Sequence, residues 1–222
     1  MEELLAKIAH CVEFGKINKT SPYPPDMKGQ LGADELTKQA IDTGGDPDEV
    51  LKKGLVVGME KIGVKFRENK VFVPQVLMSA KAMSTAMEHL KPFFQSGAVQ
   101  RKGIFVIGTV AGDLHDIGKN LVSMMVEGSG YEVIDLGTDV NTQKFIEAIK
   151  QHPGCYVGLS ALLTTTMVNM ETIVKDIKAE FPDTKILIGG APVSEDFKLQ
   201  VKADYYSPDP QGAVDFLNSI VI

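Results

Sequence analysis

The sequence predicts an α/β fold in two parts: a four-helix bundle, then a five-stranded parallel sheet covered by helices on both faces. Three observations carry that expectation. Up to about residue 90 the apolar residues recur at helical spacing. From Gly103 onward, short β-branched runs alternate with helical stretches, the rhythm of a parallel sheet with helical crossovers. Between these parts residues 92–102 show neither period and read as a linker, so the expected domains are 1–91 and 103–222.

Residues 2–14 place Leu4, Leu5, Ile8 and Val12 on one helical face, and Gly15 ends the helix. Residues 17–32 hold three prolines and two glycines and predict a long loop. Asp34–Asp42 reads as a short second helix stopped by Thr43-Gly44-Gly45. Asp46 then offers a side-chain cap, Pro47 suits the first helical position, and Asp48 and Glu49 complement the helix dipole. The helix they open carries Val50, Leu51, Leu55, Met59, Ile62 and Phe66. Its glycines, Gly54, Gly58 and Gly63, each cost about 1 kcal/mol against Ala, which predicts close helix contacts there. After a charged turn at Arg67–Lys70, Pro74 lies in the first turn of a fourth helix that runs to about Leu90.

In the second part the expected strands are Gly103–Gly108, Glu132–Leu136, Tyr156–Ser160, Lys185–Ile188 and a short one near Asp204–Tyr206. The helices between and after them start near Ile117, Thr142, Thr166, Ser194 and Pro210. No internal repeat interrupts the alternation.

Composition narrows the function classes. Hydrophobic residues at 44% and charged residues at 23% describe a globular chain rather than a disordered one. No run reaches the roughly 18 apolar residues that span a bilayer, and Met1 is followed by Glu2 and Glu3 rather than a basic, apolar leader. A cytoplasmic protein without membrane contact is expected. A net charge of −6 without a dense basic cluster argues against nucleic acid as a partner. Cys11 and Cys155 form no framework, in keeping with a reducing compartment. Ten methionines against no tryptophan suit either adaptable core filling or a surface that repacks against several partners.

The stretch richest in chemistry is Gly103–Asn120, GIFVIGTVAGDLHDIGKN. Its buried-strand run breaks into a turn bearing Asp113, His115 and Asp116, at the strand's carboxyl end, where open α/β sheets bind ligands. Asp113 and His115 alternate around Leu114, so the carboxylate can hold one imidazole nitrogen and leave the other free to coordinate a metal. Gly118 lets a bulky group approach where the next helix opens. Competing readings remain: a loop His that caps the helix, or a metallophosphatase segment at Gly112-Asp113-Leu114-His115, where Asp116 replaces the usual following Gly. A structural zinc site lacks ligand spacing, since His10, His89, His152 and the cysteines lie apart.

The motif has two companions: Ser160-Ala161-Leu162, separated from Gly118 by 41 residues, and Gly189-Gly190, separated from Leu162 by 26. This D-x-H-x-x-G, S-x-L, G-G series resembles the signature of cobalamin-binding domains, the family of cobalamin-dependent methionine synthase, methylmalonyl-CoA mutase and the corrinoid proteins of methyltransferase systems. Gly58-Met59-Glu60-Lys61-Ile62-Gly63 with Phe66, and Phe72-Val73-Pro74-Gln75-Val76, are similar to the helical cap of the methionine synthase and methyltransferase proteins. The resemblance thus covers nearly the whole chain and implies a Rossmann-like, flavodoxin-like sheet domain beneath the cap.

That resemblance implies a cofactor, cobalamin or a related corrinoid with cobalt in methylated, Co(I) or Co(II) form. It implies His115 as the cobalt ligand, with Gly112, Asp113, Leu114, Asp116, Ile117 and Gly118 around it. It implies that the displaced lower base of the corrinoid lies in the sheet domain along Ser160, Leu162, Gly189 and Gly190. Thr164 matches a corrin-contacting hydroxyl, and Thr166 a Ser that bonds the Asp of the His-Asp pair. On the other face Phe66, Val73 and Val76 match positions that shield the methyl group. Two positions depart from the pattern: Lys52 stands for a Glu near the corrin, and Asp209 for a small residue near a macrocycle side chain.

The implied function is a corrinoid methyl carrier cycling between Co(I) and methyl-Co(III), non-catalytic alone. Its implied partners are a donor-specific methyltransferase, an acceptor methyltransferase serving tetrahydrofolate or coenzyme M, and a reductive activation protein. A cobalamin-dependent sensor is the alternative within the resemblance, although 222 residues are expected to leave no room for an output module. A mutase subunit would be expected to need a large barrel partner.

Overall fold

The structure, a computed structural model, describes residues 1–220 and divides into two compact units: Met1–Arg101 with Gly128–Gly130, and Lys102–Glu127 with the residues from Tyr131 onward.

The first unit is helical. Helix α1 (Glu2–Glu13) is followed by the long loop, which holds one 3-10 turn at Pro25–Met27, and by α2 (Ala33–Asp42). Helix α3 (Pro47–Glu49) is capped by Asp46, whose side chain accepts from the Asp48 amide at 3.0 Å. It continues without a break through a π-helical stretch, Val50–Val56, into α4 (Val57–Arg67). The glycine expectation holds at Gly54, where a Cβ would lie 3.2 Å from Ile8 Cγ2, and at Gly58. A Cβ on Gly58 would lie 2.6 Å from the Ala9 carbonyl oxygen and from Val12 Cβ, so α4 crosses α1 at backbone range. Helix α5 (Val73–Met87) opens with the Gln75 side chain accepting from the Phe72 amide, and ends in a 3-10 turn, Glu88–Leu90.

One sequence expectation changes at this point. The stretch read as a linker from residue 92 contains α6 (Lys91–Gln95), with Pro92 in its first turn, where the missing N–H breaks no hydrogen bond.

The second unit is a five-stranded parallel sheet in the order β2-β1-β3-β4-β5. The strands are β1 (Ile104–Thr109), β2 (Glu132–Asp135), β3 (Tyr156–Ser160), β4 (Ile186–Gly189) and β5 (Tyr205–Ser207). The helices are α7 (Ile117–Gly128), α8 (Thr142–Gln151), α9 (Thr164–Glu180), α10 (Glu195–Val201) and α11 (Pro210–Ile220). Helix α9 starts two residues before the expected Thr166. Strand order reverses between β1 and β3, which opens a crevice at the carboxyl edge of the sheet.

Register then fixes what lines that crevice. Thr109, Ser160, Gly189 and Ser207 are neighbours in one row at the edge, and Ile107, Gly158, Leu187 and Tyr205 form the row two residues deeper. The alternate residues of these strands, including Val106, Leu159 and Ile188, point to the other face and pack with Phe145, Met170 and Ile173 in the main core.

Candidate functional site

The site grows out of the turn after β1. Gly112 takes a φ of +81°, which glycine adopts without the clash a side chain would bring, and the chain turns out over the sheet edge. Four contacts hold this loop. Asn169 Nδ2 donates to the Ala111 carbonyl at 2.7 Å, and the Gly112 amide donates to Asp139 Oδ1 at 2.7 Å. The Asp139 amide donates to the Asp113 carbonyl at 3.0 Å, and the buried Thr109 hydroxyl donates to the His115 carbonyl at 2.9 Å. Asp139 is itself a non-glycine residue at positive φ, +54°.

Within this frame Asp113 is fully buried and saturated with donors. Its Oδ1 accepts from His115 Nδ1 at 2.7 Å and from the His115 amide at 3.1 Å. Its Oδ2 accepts from the Thr166 hydroxyl at 2.8 Å and from the amides of Leu162 and Leu163 at 2.8 and 3.2 Å. Burial by itself would raise the Asp113 pKa, but the Leu162 amide, the His115 ring and amide and the Thr166 hydroxyl outweigh it and hold the carboxyl far below the usual range.

A carboxylate that only accepts fixes the imidazole tautomer. A ring proton on Nδ1 faces the carboxylate, so in the neutral ring the lone pair lies on Nε2, on a side chain that is 53% exposed. The turn that carries His115, and the one at Leu162-Leu163 that bonds Asp113, expose apolar side chains: Leu114 and Ile117 are 73% and 71% exposed, Leu162 and Leu163 43% and 41%. Such a patch is a place for a ligand rather than for water.

Below the edge lies a cavity of about 270 Å3 between the sheet and the starts of α7 and α11. Ser160, Gly189, Gly190 and Gly118 sit along it, with Asp209 at the start of α11, where its Oδ1 accepts from the Gly212 amide at 2.9 Å. Gly190 cannot be anything larger. At a φ of +131°, a Cβ there would lie 1.8 Å from the Ala161 carbonyl oxygen. Gly118 faces open space.

A corrinoid can be tested against these residues. Among the described residues no group of three His, Cys, Asp or Glu side chains is placed to hold a metal ion, so a bare metal, and with it the metallophosphatase reading, finds no ligand set here. One imidazole nitrogen fits a cobalt that brings its own equatorial ligands. The exposed apolar rim fits a flat macrocycle, and the glycine-lined cavity fits an appended tail.

The structure therefore brings Asp113, His115 and Thr166 together, and Ser160, Gly118, Gly189, Gly190 and Asp209 around one cavity. Leu162 holds Asp113 through its amide and is not among the residues that line the cavity. Thr164 is exposed at the first turn of α9, and Asp116 is exposed with Asn120 Nδ2 donating to it at 3.1 Å. In the helical unit Phe66 and Val73 are half-buried, whereas Val76 is fully buried, because it falls on the same side of α5 as the buried Ala80, Met83 and Met87. Lys52 pairs with Asp48 at 2.8 Å, one helical turn back. Sequence reasoning missed Thr109, Asp139 and Asn169. Only Asp139 carried a local signal, an Asp soon after Gly137 in a turn, where left-handed backbone is common.

Known proteins match this chain along its length. The B12 binding domain family matches residues 103–213, and a second B12 binding domain family matches residues 30–91. The chain is 37% identical over 216 residues to dimethylamine corrinoid protein 1 of Methanosarcina acetivorans, covering 96% of this chain and 95% of that one. It is 38% identical over 210 residues to trimethylamine corrinoid protein 1 of the same organism, covering 93% and 97%. Among solved structures, a chain of the methanol:cobalamin methyltransferase complex MtaBC from Methanosarcina barkeri matches with a TM-score of 0.82 at 30% identity, over 99% of this chain and 80% of that one. A cobalamin-binding protein from Desulfitobacterium hafniense DCB-2 matches with a TM-score of 0.76 at 30% identity, over 97% of both.

Proposed function

Since this chain belongs to the B12-binding family of corrinoid proteins, we propose that it is a methyl carrier, loaded by a donor-specific methyltransferase and unloaded by a second one that serves tetrahydrofolate or coenzyme M. Its cofactor is cobalamin or a related corrinoid. When bound, that corrinoid supplies a cobalt centre that takes up and gives off a methyl group as its valence changes, with Co(I) as the attacking form. The relatives that serve dimethylamine and trimethylamine favour a methylated nitrogen compound as the donor.

The observation that carries this reading is one half-exposed imidazole with its Nδ1 fixed by a buried carboxylate, in a turn whose flanking Leu114 and Ile117 are exposed apolar residues. His115 would hold the cobalt through Nε2. Asp113 accepts from Nδ1 and so orients the ring, leaving Nε2 as the atom that would hold the metal. Thr166 and the amides of Leu162 and Leu163 keep the carboxylate in place. The cavity along Ser160, Gly189 and Gly190 takes the tail with the lower base. Phe66, Val73 and Val76 of the helical unit would act as a cap that keeps water from the methyl group, residues 96–102 after α6 would give the cap its freedom to move, and a reductive activation protein in the cytoplasm would restore the active state.

The test uses the full chain, reconstituted with cobalamin under anaerobic, reducing conditions, with a purified amine methyltransferase as donor. Wild type is expected to retain the corrinoid and to be methylated. His115→Ala is expected to shift the visible spectrum of the bound cofactor and slow methylation. An unchanged spectrum would remove His115 as the ligand, and failure of the wild type to retain any corrin would remove the carrier reading.

A further inference from the structure

The inner end of the cavity offers hydrocarbon and no polar side chain. Register gives the depth: Ser160, Gly189 and Ser207 stand at the rim, Ile107, Gly158 and Leu187 two residues further in on the same face, and Phe105 two further still. Backbone groups at that depth are taken by the parallel ladders. From the helices, Gly118 is at the rim and Val122 one turn deeper.

Of the polar residues on the lining, Ser160, Ser207 and Asp209 stand at the rim with the strand ends, above that depth, and Tyr206 falls on the alternate face of its strand and packs against the main core. The Ser207 hydroxyl donates to the Asp209 carbonyl at 2.6 Å. Lys119 is buried, and its ammonium is bonded to Asn120 Oδ1 at 2.7 Å and to Asp135, neither of which lines the cavity. The missing side chain of Gly158 leaves room for Phe105, whose Cζ would lie 2.4 Å from a Cβ there. The floor is thus an aromatic ring, 1% exposed, flanked by Ile107 and Leu187.

We propose that this inner pocket selects the corrinoid by the polarity of its lower base, admitting a benzimidazole or a phenol ring and rejecting a purine. The inference rests on the reading that the cavity holds the corrinoid's tail. A purine carries ring nitrogens and an exocyclic amine around its edge. Each would leave water for a wall that has no partner for it. Dimethylbenzimidazole and p-cresol present methyl groups on that edge instead. Since His115 offers the metal its nitrogen, the base needs no ligating atom, and a phenol is admitted on the same footing.

The experiment measures dissociation constants of four aquo-corrinoids for the cofactor-free full chain, from the change in visible spectrum and from retention on a desalting column. The four are the dimethylbenzimidazolyl, p-cresolyl and adenyl forms and cobinamide, which has no nucleotide tail. The first two are expected to bind alike, the adenyl form roughly 10- to 100-fold more weakly, in line with burying one or two unpaired polar groups. Val122→Thr, which puts a hydroxyl in the wall at nearly constant volume, is expected to narrow that ratio. Equal binding of the adenyl and dimethylbenzimidazolyl forms, or rejection of the cresolyl form with the adenyl one, overturns the selection. Equal binding of cobinamide would move the tail out of this cavity, and retention of none of the four would sink the carrier reading itself.

Discussion

On one face of the sheet Val106, Val157, Leu159, Ile186 and Ile188 meet Phe145, Met170, Ile173 and Ile177 with no exposure above 2%. On the other, the alternate positions of the same strands are Ile107, Gly158, Ser160, Leu187 and Gly189, and a cavity of about 270 Å3 remains between them and the helices. Both faces belong to strands of similar length in one register, so the difference lies wholly in side-chain volume. The filled face supplies the stability, since burying each large aliphatic side chain contributes about 1.5–3 kcal/mol. The hollow face spends part of that on a space for a ligand. Two glycines and a serine in place of β-branched residues convert a core into a site.

The largest expected effect comes from removing volume on the filled face. Ile188→Ala should cost about 2–5 kcal/mol, measured by urea unfolding and by hydrogen exchange of the β3 and β4 amides. A loss under about 1 kcal/mol would mean that this face is not the tightly packed one.

Adding volume tests the hollow face in the opposite sense. Gly158→Ala forces its methyl group against Phe105 and should cost about 1–3 kcal/mol, with weaker retention of tail-bearing corrinoid and unchanged retention of cobinamide. Unchanged retention of both would separate Gly158 from the tail.

At the rim, Asp113→Asn should lose about 1–3 kcal/mol near neutral pH, since hydrogen bonds to a buried charge are lost or reversed. The Asp113 carboxyl titrates lower folded than unfolded. Its contribution is therefore complete above the unfolded value, about 3.9, and is lost as pH falls through the folded one. The gap between wild type and variant should narrow only below about pH 4; a gap that is constant from pH 6 to strongly acidic solution would show that the carboxylate gains nothing from its donors.

The smallest effect is expected at Ser160→Ala, half-buried on the cavity rim, within about 0.5 kcal/mol by the same unfolding assay.

Much of this contrast could be read from the chain before any coordinates. The strand runs are β-branched and short, and Gly189-Gly190 and Ser160 interrupt them at the strand ends, which already pointed to a ligand edge. The Asp113-x-His115 spacing likewise revealed the carboxylate–imidazole pair, because both residues lie in one turn. What stayed hidden depends on contacts between distant segments. Asp139 reaches Gly112 from 27 residues away and Asn169 reaches Ala111 from 58, and no local period records either. The π-helical stretch Val50–Val56 was hidden too, since its apolar residues fit ordinary helical spacing within one turn. That Val76 is fully buried while Phe66 and Val73 are half-buried was hidden as well, because it depends on how α5 packs.

The central claim is that the imidazole of His115 ligates cobalt in place of the corrinoid's own base. Reconstitution with cobalamin of protein grown on 15N-histidine, followed by electron paramagnetic resonance of the Co(II) state, addresses it directly. Nitrogen hyperfine triplets in unlabelled protein should become doublets in the labelled sample, and His115→Ala should lose the splitting. Triplets that persist in the labelled protein would contradict the claim, because the axial nitrogen would then belong to the corrinoid and not to the chain.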